Sequence, residues 1–278
     1  MSKAGKKDGA TNSLKRSLTL YDVFSTSTGA MFSSGFFLLP GIAFAQTGTS
    51  VILAYFVAGL MILPAMLSKA ELTSAMPKAG GSYYFIERAM GPLMGTIGGL
   101  GTWLSLVFKT AFALIGMGAY LAIFIELPVK PLAIGLTFAF MALNVVGAKE
   151  SSGVQRVLVT VLLAVLGFFI AQGFFFLTDR PEGNRTLSEL GPLFASGLEG
   201  FMATVGLVFV SYAGLTKVSS MAEEVENPDR TIPLGMLLSV VLATVVYCVG
   251  VAVMMWVLDP TTFHTTLTPV AAASEVLF

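Results

Sequence analysis

The sequence predicts an all-α integral membrane protein. Hydrophobic residues make up 55% of the chain and charged residues only 12%, with a mean hydropathy of +0.83. Charged residues form about 25% of an average soluble domain. The apolar runs are each about as long as the ~20 residues that a membrane-spanning helix needs. A membrane β-barrel would show alternating segments of about ten residues, and the sequence has no such alternation. Helices that cross a bilayer are therefore expected.

Apolar runs separated by clusters of charge, Gly and Pro predict seven membrane spans. They cover residues 22–48, 50–76, 93–125, 131–148, 153–178, 198–222 and 232–258. The polar, basic residues 1–19 are expected to form a disordered cytoplasmic tail, and residues 20–278 a transmembrane domain. The chain stops in the apolar stretch TPVAAASEVLF, so we expect this domain to be incomplete at its C-terminus.

The basic residues predict a cytoplasmic N-terminus. With that orientation, the cytoplasmic segments hold twelve of the 16 lysines and arginines, and the opposite side holds only Lys130, Arg180 and Arg185. The remaining one, Lys109, falls within the third span. An excess of Lys and Arg in cytoplasmic loops is the usual pattern of helical membrane proteins. We therefore expect a multi-pass protein of the plasma (inner) membrane, with the lipid bilayer as a partner and no nucleic acid.

The sequence gives no sign of metal or covalent chemistry. Cys248 and His264 are the only cysteine and the only histidine, so no His/Cys metal cluster is expected. The spans contain no carboxylate pair, catalytic triad or phosphate-binding loop. We expect neither an enzyme nor a bound cofactor, and leave H⁺ or Na⁺ open as a coupling ion. The oligomeric state stays open.

Two spans contain helix-breaking sequences near their centres. The first span carries FSSGFF at residues 32–37, within 46 residues that hold no charged side chain, and the sixth carries VSYAGLT at residues 210–216. These spans lie five apart and so have opposite orientations. A pair of interrupted segments in corresponding positions of two inverted halves indicates a secondary transporter with its substrate at the interruptions. Close helix packing is the alternative explanation for small residues in a span.

Three motifs resemble the amino acid, polyamine and organocation permease superfamily. They are GAMFSSGFFLLPG in the first span, PKAGGSYYFIERAMG after the second, and FVSYAGLTKVSSMAEEVENPDRTIP in and after the sixth. The motifs occur in the family's order, beside the expected spans. Two positions depart from the pattern, because Ser33 stands where the family often has Gly and Thr216 where many members have an acidic residue.

The resemblance implies a fold and a function. The fold is a five-plus-five inverted-repeat (LeuT-like) transporter, of which this chain would supply the first repeat and two helices of the second. The function is secondary active transport of amino acids, or of related solutes that bear an amino group, by alternating access. Two alternatives remain open: a cation-chloride cotransporter of the same superfamily, and a non-transporting membrane fragment that acts through helix association.

The interrupted helices supply the expected substrate site. In the first span, main-chain N–H groups after Ser33, Ser34 and Gly35 open a half-helix whose N-terminus suits a carboxylate. In the sixth span, released carbonyls suit an ammonium group, and the residues there are Ser211, Tyr212, Ala213 and Gly214. The two ends together would hold a zwitterionic amino acid.

The expected site includes apolar and charged side chains as well. Phe36, Phe209 and Tyr212 are predicted to form walls or a lid. Lys109 is expected to face the bundle interior, because a lysine near mid-bilayer costs on the order of 3 kcal/mol. Its acceptor would be a carbonyl of a broken helix, a hydroxyl or an anion, and its role ion coupling. The resemblance implies that Glu223 and Glu224 belong to a cytoplasmic gate.

Overall fold

The computed structural model describes residues 16–78, 80–125, 127–146, 152–179 and 192–278, and it is helical throughout these ranges apart from loops and one isolated bridge between Leu18 and Val225. The α-helices are α1 Leu20–Met31, α2 Ser34–Phe37, α3 Leu39–Thr47, α4 Val51–Ala75, α5 Gly81–Met90, α6 Pro92–Leu121, α7 Val129–Val146, α8 Ser152–Asp179, α9 Gly197–Phe209, α10 Thr216–Ser220, α11 Pro228–Val257, α12 Pro260–Thr265 and α13 Pro269–Leu277. Short 3₁₀ helices cover Gly48–Ser50, Val210–Leu215 and Ala222–Glu224.

The expected all-α membrane class is confirmed. By length and composition, five helical stretches of the described chain can cross a membrane: Leu39–Ala75, Pro92–Leu121, Gln155–Thr178, Gly197–Ser220 and Pro228–Val257. A shorter apolar helix covers Val129–Ala142. The first predicted span is divided among α1, α2 and α3. The greater part of the predicted tail, residues 1–15, lies outside the described residues.

Proline sets the starts of several helices. Pro92, Pro228, Pro260 and Pro269 each occupy the first position of a helix, where the missing N–H group would have no partner in the helix anyway. The fixed φ angle of proline also suits the first turn. These residues explain why α6, α11, α12 and α13 begin where they do.

Both predicted interruptions are present, and they differ in kind. The first is a true break, because Ser33 has φ −61° and ψ −122° and separates α1 from the single turn of α2. The second tightens the helix into the 3₁₀ segment Val210–Leu215, flanked by residues that keep helical angles. A stretch of 3₁₀ helix inside a longer helix often marks a functional hinge.

The two interruptions pack directly on each other through glycine. A Cβ at Gly35 would lie 2.6 Å from Ser211 Cβ and 2.8 Å from the hydroxyl oxygen of Tyr247. A Cβ at Gly214 would lie 2.8 Å from Met31 N. Only glycine, which has no Cβ, leaves room for these neighbours: side chains at Gly35 and the backbone of α1 at Gly214. The small residues of both motifs therefore hold the two broken helices in contact.

We expect Gly35→Ala to destabilise the protein, since the new methyl group would overlap the Ser211 side chain. Overpacking of this kind costs about 1–3 kcal/mol, so the thermal unfolding midpoint in detergent should fall. Adding Ser211→Gly to the same chain should restore much of the loss.

Gly206→Ala in α9 is the matched control, because a Cβ at Gly206 meets no atom within 4 Å and alanine favours a helix interior. Equal midpoints for Gly35→Ala, Gly206→Ala and the parent would contradict the packing described here.

Candidate functional site

Side chains from other helices pair the carbonyls at the end of α1. The last carbonyls of a helix have no partner within it. The Lys109 ammonium of α6 donates to Ala30 O at 2.9 Å, and the Tyr247 hydroxyl of α11 donates to Met31 O at 2.7 Å. Of the three acceptors expected for Lys109, the structure shows a carbonyl of a broken helix, whereas its role in coupling stays a prediction.

Two further tyrosines pair the carbonyls of α2. The Tyr55 hydroxyl of α4 donates to Gly35 O, and the Tyr120 hydroxyl of α6 donates to Phe37 O, both at 2.9 Å. The Tyr55 carbonyl in turn accepts a hydrogen bond from Tyr212 at 3.0 Å. This last bond joins the second interruption to the same helix that supports the first. Three tyrosines and one lysine therefore hold the broken backbone in place.

A cavity of about 430 Å³ lies beside both interruptions. Ser34 reaches it from the first interruption, Ser211 and Val210 from the second, and Lys109 from α6. The remaining wall is largely apolar, formed by Leu39, Ser105, Phe108, Phe112 and Leu207. Cavities of this size with a few convergent polar groups are typical small-molecule sites.

The Ser211 hydroxyl is a buried polar group of this cavity that lacks a hydrogen-bond partner. Ser211 is only 2% exposed, and its Oγ forms no hydrogen bond. Among the described residues one other buried hydroxyl, that of Ser27, has no partner either, but Ser27 is not among the residues that line the cavity. A buried hydroxyl without a partner costs free energy, so Ser211 is suited to bind a ligand.

A second cavity, of about 380 Å³, also borders α2. Ser33 and Ser34 line it together with Phe32, Phe37 and Tyr120. Ser34 thus borders both spaces, whereas Ser33 faces this second one. The second cavity receives no residue from the 3₁₀ segment, so of these two cavities the first is the one that both interruptions line.

Several of the predicted site residues lie behind the cavity rather than in its wall. Phe36 and Tyr212 are fully buried, with the Phe36 ring against Gly250 and Tyr247. Gly35 packs on Ser211, and Gly214 on the end of α1. Phe209 and Ala213 do not line the cavity. The part that these residues play in substrate binding stays a prediction.

Residues of α6 form a wall that the sequence reasoning did not identify. Ser105, Phe108 and Phe112 lie in the same helix as Lys109. Their positions relative to Lys109 are i−4, i−1 and i+3, and residues three or four apart share one helix face. The i−4 and i+3 spacing around a mid-span lysine is the signal that could have found Ser105 and Phe112.

An ion pair between a buried carboxylate and a partly exposed guanidinium lies at the end of the bundle where α1 begins. The Asp22 carboxylate is 1% exposed and accepts hydrogen bonds from the Thr19 N–H and hydroxyl, each at 2.8 Å. It also pairs with the Arg156 guanidinium of α8 through Nε and through Nη2, the latter at 2.8 Å. Such a bidentate contact fixes the relative orientation of the two side chains, and it joins α1 to α8.

The predicted gate residues lie next to this ion pair. The Glu224 carbonyl accepts hydrogen bonds from the Ser17 and Leu18 N–H groups, both at 2.9 Å, and Leu18 O accepts from Glu226 N–H. Glu223 and Glu224 belong to the 3₁₀ turn Ala222–Glu224. Ser17 and Leu18, which both belong to the predicted tail, thus form backbone hydrogen bonds with this turn. Among the described residues no group of His, Cys, Asp and Glu could hold a metal ion.

Comparison with known proteins points to one family. A family model described as amino acid permease matches residues 22–274. Branched-chain amino acid permease BcaP of Bacillus subtilis (strain 168) is 30% identical, over 87% of this chain and 55% of its own length. Cationic amino acid transporter 1 of Arabidopsis thaliana is 28% identical, over 89% of this chain and 43% of its own.

Vacuolar cationic amino acid transporter 8 of Arabidopsis thaliana is 27% identical, over 85% of this chain and 42% of its own length. The chain spans about half the length of the curated relatives it matches.

We expect Asp22→Asn to destabilise the protein by about 1.5–3 kcal/mol, the range for a hydrogen bond to a charged group. The thermal unfolding midpoint in detergent is the measurement. Asp229→Asn is the control, because Asp229 is exposed and surface substitutions cost less than about 0.5 kcal/mol. A midpoint for Asp22→Asn equal to that of the control would show that the ion pair adds no stability.

Proposed function

Because this chain belongs to the amino acid permease family, we propose that it binds an amino acid in the 430 Å³ cavity and carries it across the membrane by alternating access. The chain would act within a longer transporter built from two inverted five-helix repeats. Here it supplies the first repeat and two helices of the second. Its transport activity is that of a secondary carrier.

One observation carries this proposal: both helix interruptions contribute a hydroxyl to a single cavity, and the Ser211 hydroxyl is buried there without a hydrogen-bond partner. Ser34 comes from the first interruption and Ser211 from the second. A membrane helix is broken only where its polar backbone groups are paired or line a cavity. A polar solute at this point can form a hydrogen bond with the Ser211 hydroxyl. For the solute, this bond replaces one that it made with water before it entered the cavity.

The names of the relatives suggest two kinds of substrate. One relative is named for branched-chain amino acids and others for cationic amino acids. Both kinds carry the α-ammonium and α-carboxylate groups that the interruptions would hold. The proposed substrate is therefore an α-amino acid. A cation-chloride cotransporter would instead respond to chloride and to rubidium or potassium, and this difference separates the two functions.

We further propose that Lys109 takes the place of a coupling cation, or takes and releases a proton, during transport. Its ammonium lies at the interruption, on the Ala30 carbonyl, and no carboxylate is found among the residues that line the cavity. Uptake that does not require Na⁺, and that loses its pH dependence in both Lys109→Met and Lys109→Arg, would support this role. Unchanged pH dependence in Lys109→Met would exclude it.

The gate is proposed at the end of the bundle where α1 begins. Glu223 and Glu224 would pair with basic residues when this end closes, beside the Asp22–Arg156 ion pair and the Leu18–Val225 bridge. Because these contacts tie α1 to α8 and to the turn after α10, opening this end requires that they separate. We propose that the protein lies in the plasma membrane and that this gate faces the cytoplasm.

The first test is Ser211→Ala in the full-length protein, meaning this chain with any further segment that its gene encodes. Losing one hydrogen bond to the substrate should weaken L-leucine binding by about fivefold to tenfold, since such a bond contributes about 1 kcal/mol. Isothermal titration with the purified protein is the measurement.

Ser27→Ala is the matched control for this test, because Ser27 is equally buried and also lacks a partner but does not line the cavity. Its affinity for leucine should equal that of the parent. Equal affinities for Ser211→Ala and Ser27→Ala would place the substrate elsewhere, and no response to any amino acid would remove the proposed function.

The second test concerns orientation. Arg230 and Lys130 are both exposed and lie at opposite ends of the bundle, next to the start of α11 and of α7. In a chain whose Cys248 is replaced by alanine, Lys130→Cys should react with an impermeant thiol reagent on intact cells. Arg230→Cys should react only after the cells are opened, and the reverse pattern would overturn the proposed orientation.

A further inference from the structure

We propose that the charge of Lys109 makes this cavity selective for amino acids with neutral side chains and excludes those with cationic side chains. This inference rests on the proposed function, because it names the substrate class of the same site. The Lys109 ammonium is the one formal charge among the residues that line the cavity, all of which the structure describes.

Lys109 is fixed in its position by a specific contact. Its Nζ donates to Ala30 O at 2.9 Å, and this carbonyl belongs to the last turn of α1, beside the break. The Lys109 side chain would have to break this hydrogen bond before it could move away from an entering cation. While Lys109 is protonated, its positive charge therefore stays next to the space that a substrate would occupy.

The rest of the cavity wall offers nothing to balance a second positive charge. Its polar side chains are the hydroxyls of Ser34, Ser105 and Ser211, and its other residues are apolar. A zwitterionic amino acid with a neutral side chain adds no net charge to this space. An arginine or lysine adds one positive charge next to the ammonium, and loses its hydration as it enters. Both effects weaken its binding.

The size of the effect follows from simple electrostatics. Two unit charges separated by about 6 Å at an effective dielectric constant of about 20 repel each other enough to weaken binding about a hundredfold. Partial hydration of the cavity reduces this effect. We therefore expect a cationic amino acid to bind at least about tenfold more weakly than a neutral amino acid of the same shape.

The purely structural explanation of Lys109 makes a different prediction. If the ammonium only pairs the Ala30 carbonyl, its removal should destabilise the protein without changing the ratio of affinities for neutral and cationic ligands. Stability and selectivity are thus separate readouts, and a variant that changes only the first would assign Lys109 a structural role.

The experiment compares amino acids that match in shape and differ in charge. L-citrulline and L-arginine form one pair, and L-norleucine and L-lysine the other. Dissociation constants are measured with purified full-length protein by isothermal titration, for the parent and for Lys109→Met and Lys109→Arg. Lys109→Gln, which can still donate to Ala30 O, serves if Lys109→Met does not fold. Lys130→Met is the control, because Lys130 is an exposed lysine at the start of α7.

The parent, Lys109→Arg and Lys130→Met should bind the neutral member of at least one pair about tenfold or more tightly than the cationic member. In Lys109→Met or Lys109→Gln this ratio should fall at least about fivefold. Equal affinities within both pairs in the parent, an unchanged ratio in the neutral variants, or no binding of either neutral member would overturn the inference. If the inference is overturned but L-leucine still binds, the proposed function is retained. If no amino acid binds, both the inference and the proposed function are wrong.

Discussion

The structure depends on donors for the main-chain carbonyls that become free where the first helix is interrupted. Such groups cannot be left unpaired in a membrane interior, because each costs several kcal/mol. Here the carbonyls of Ala30, Met31, Gly35 and Phe37 accept hydrogen bonds from Lys109, Tyr247, Tyr55 and Tyr120. These donors come from α4, α6 and α11. The interruption therefore fixes how three other helices are arranged around it.

The same arrangement leaves a polar space at the interruption. Glycines at positions 35 and 214 bring the two interrupted helices into contact, while Ser34 and Ser211 remain at the cavity beside them. A solute bound there would touch both halves of the proposed inverted repeat at once. Movement of one half against the other would then change which end of the cavity is open, and this is the physical basis of the alternating access that we propose.

The sequence predicted the class of fold, the family and the positions of both interruptions, because long apolar runs and the residues that break them are local signals. It also predicted that Lys109 turns inward, since a buried charge needs a partner. It did not predict the tyrosines, because Tyr55, Tyr120 and Tyr247 occupy ordinary positions of apolar helices and their acceptors lie far away in the chain. Packing between distant parts of the chain also explains why Phe36 and Tyr212, expected in the wall of the site, lie in the core behind it. The Asp22–Arg156 ion pair was not predicted because its two residues are 134 positions apart in the sequence.

A structure of the full-length protein with a bound amino acid, determined by cryo-electron microscopy, would show directly whether the two helix interruptions hold the substrate. We expect density for the amino acid between Ser34 and Ser211, beside a first helix that is still interrupted and still held by Lys109 and Tyr55. Density at another place, or a first helix that runs without interruption when the amino acid is bound, would contradict this expectation.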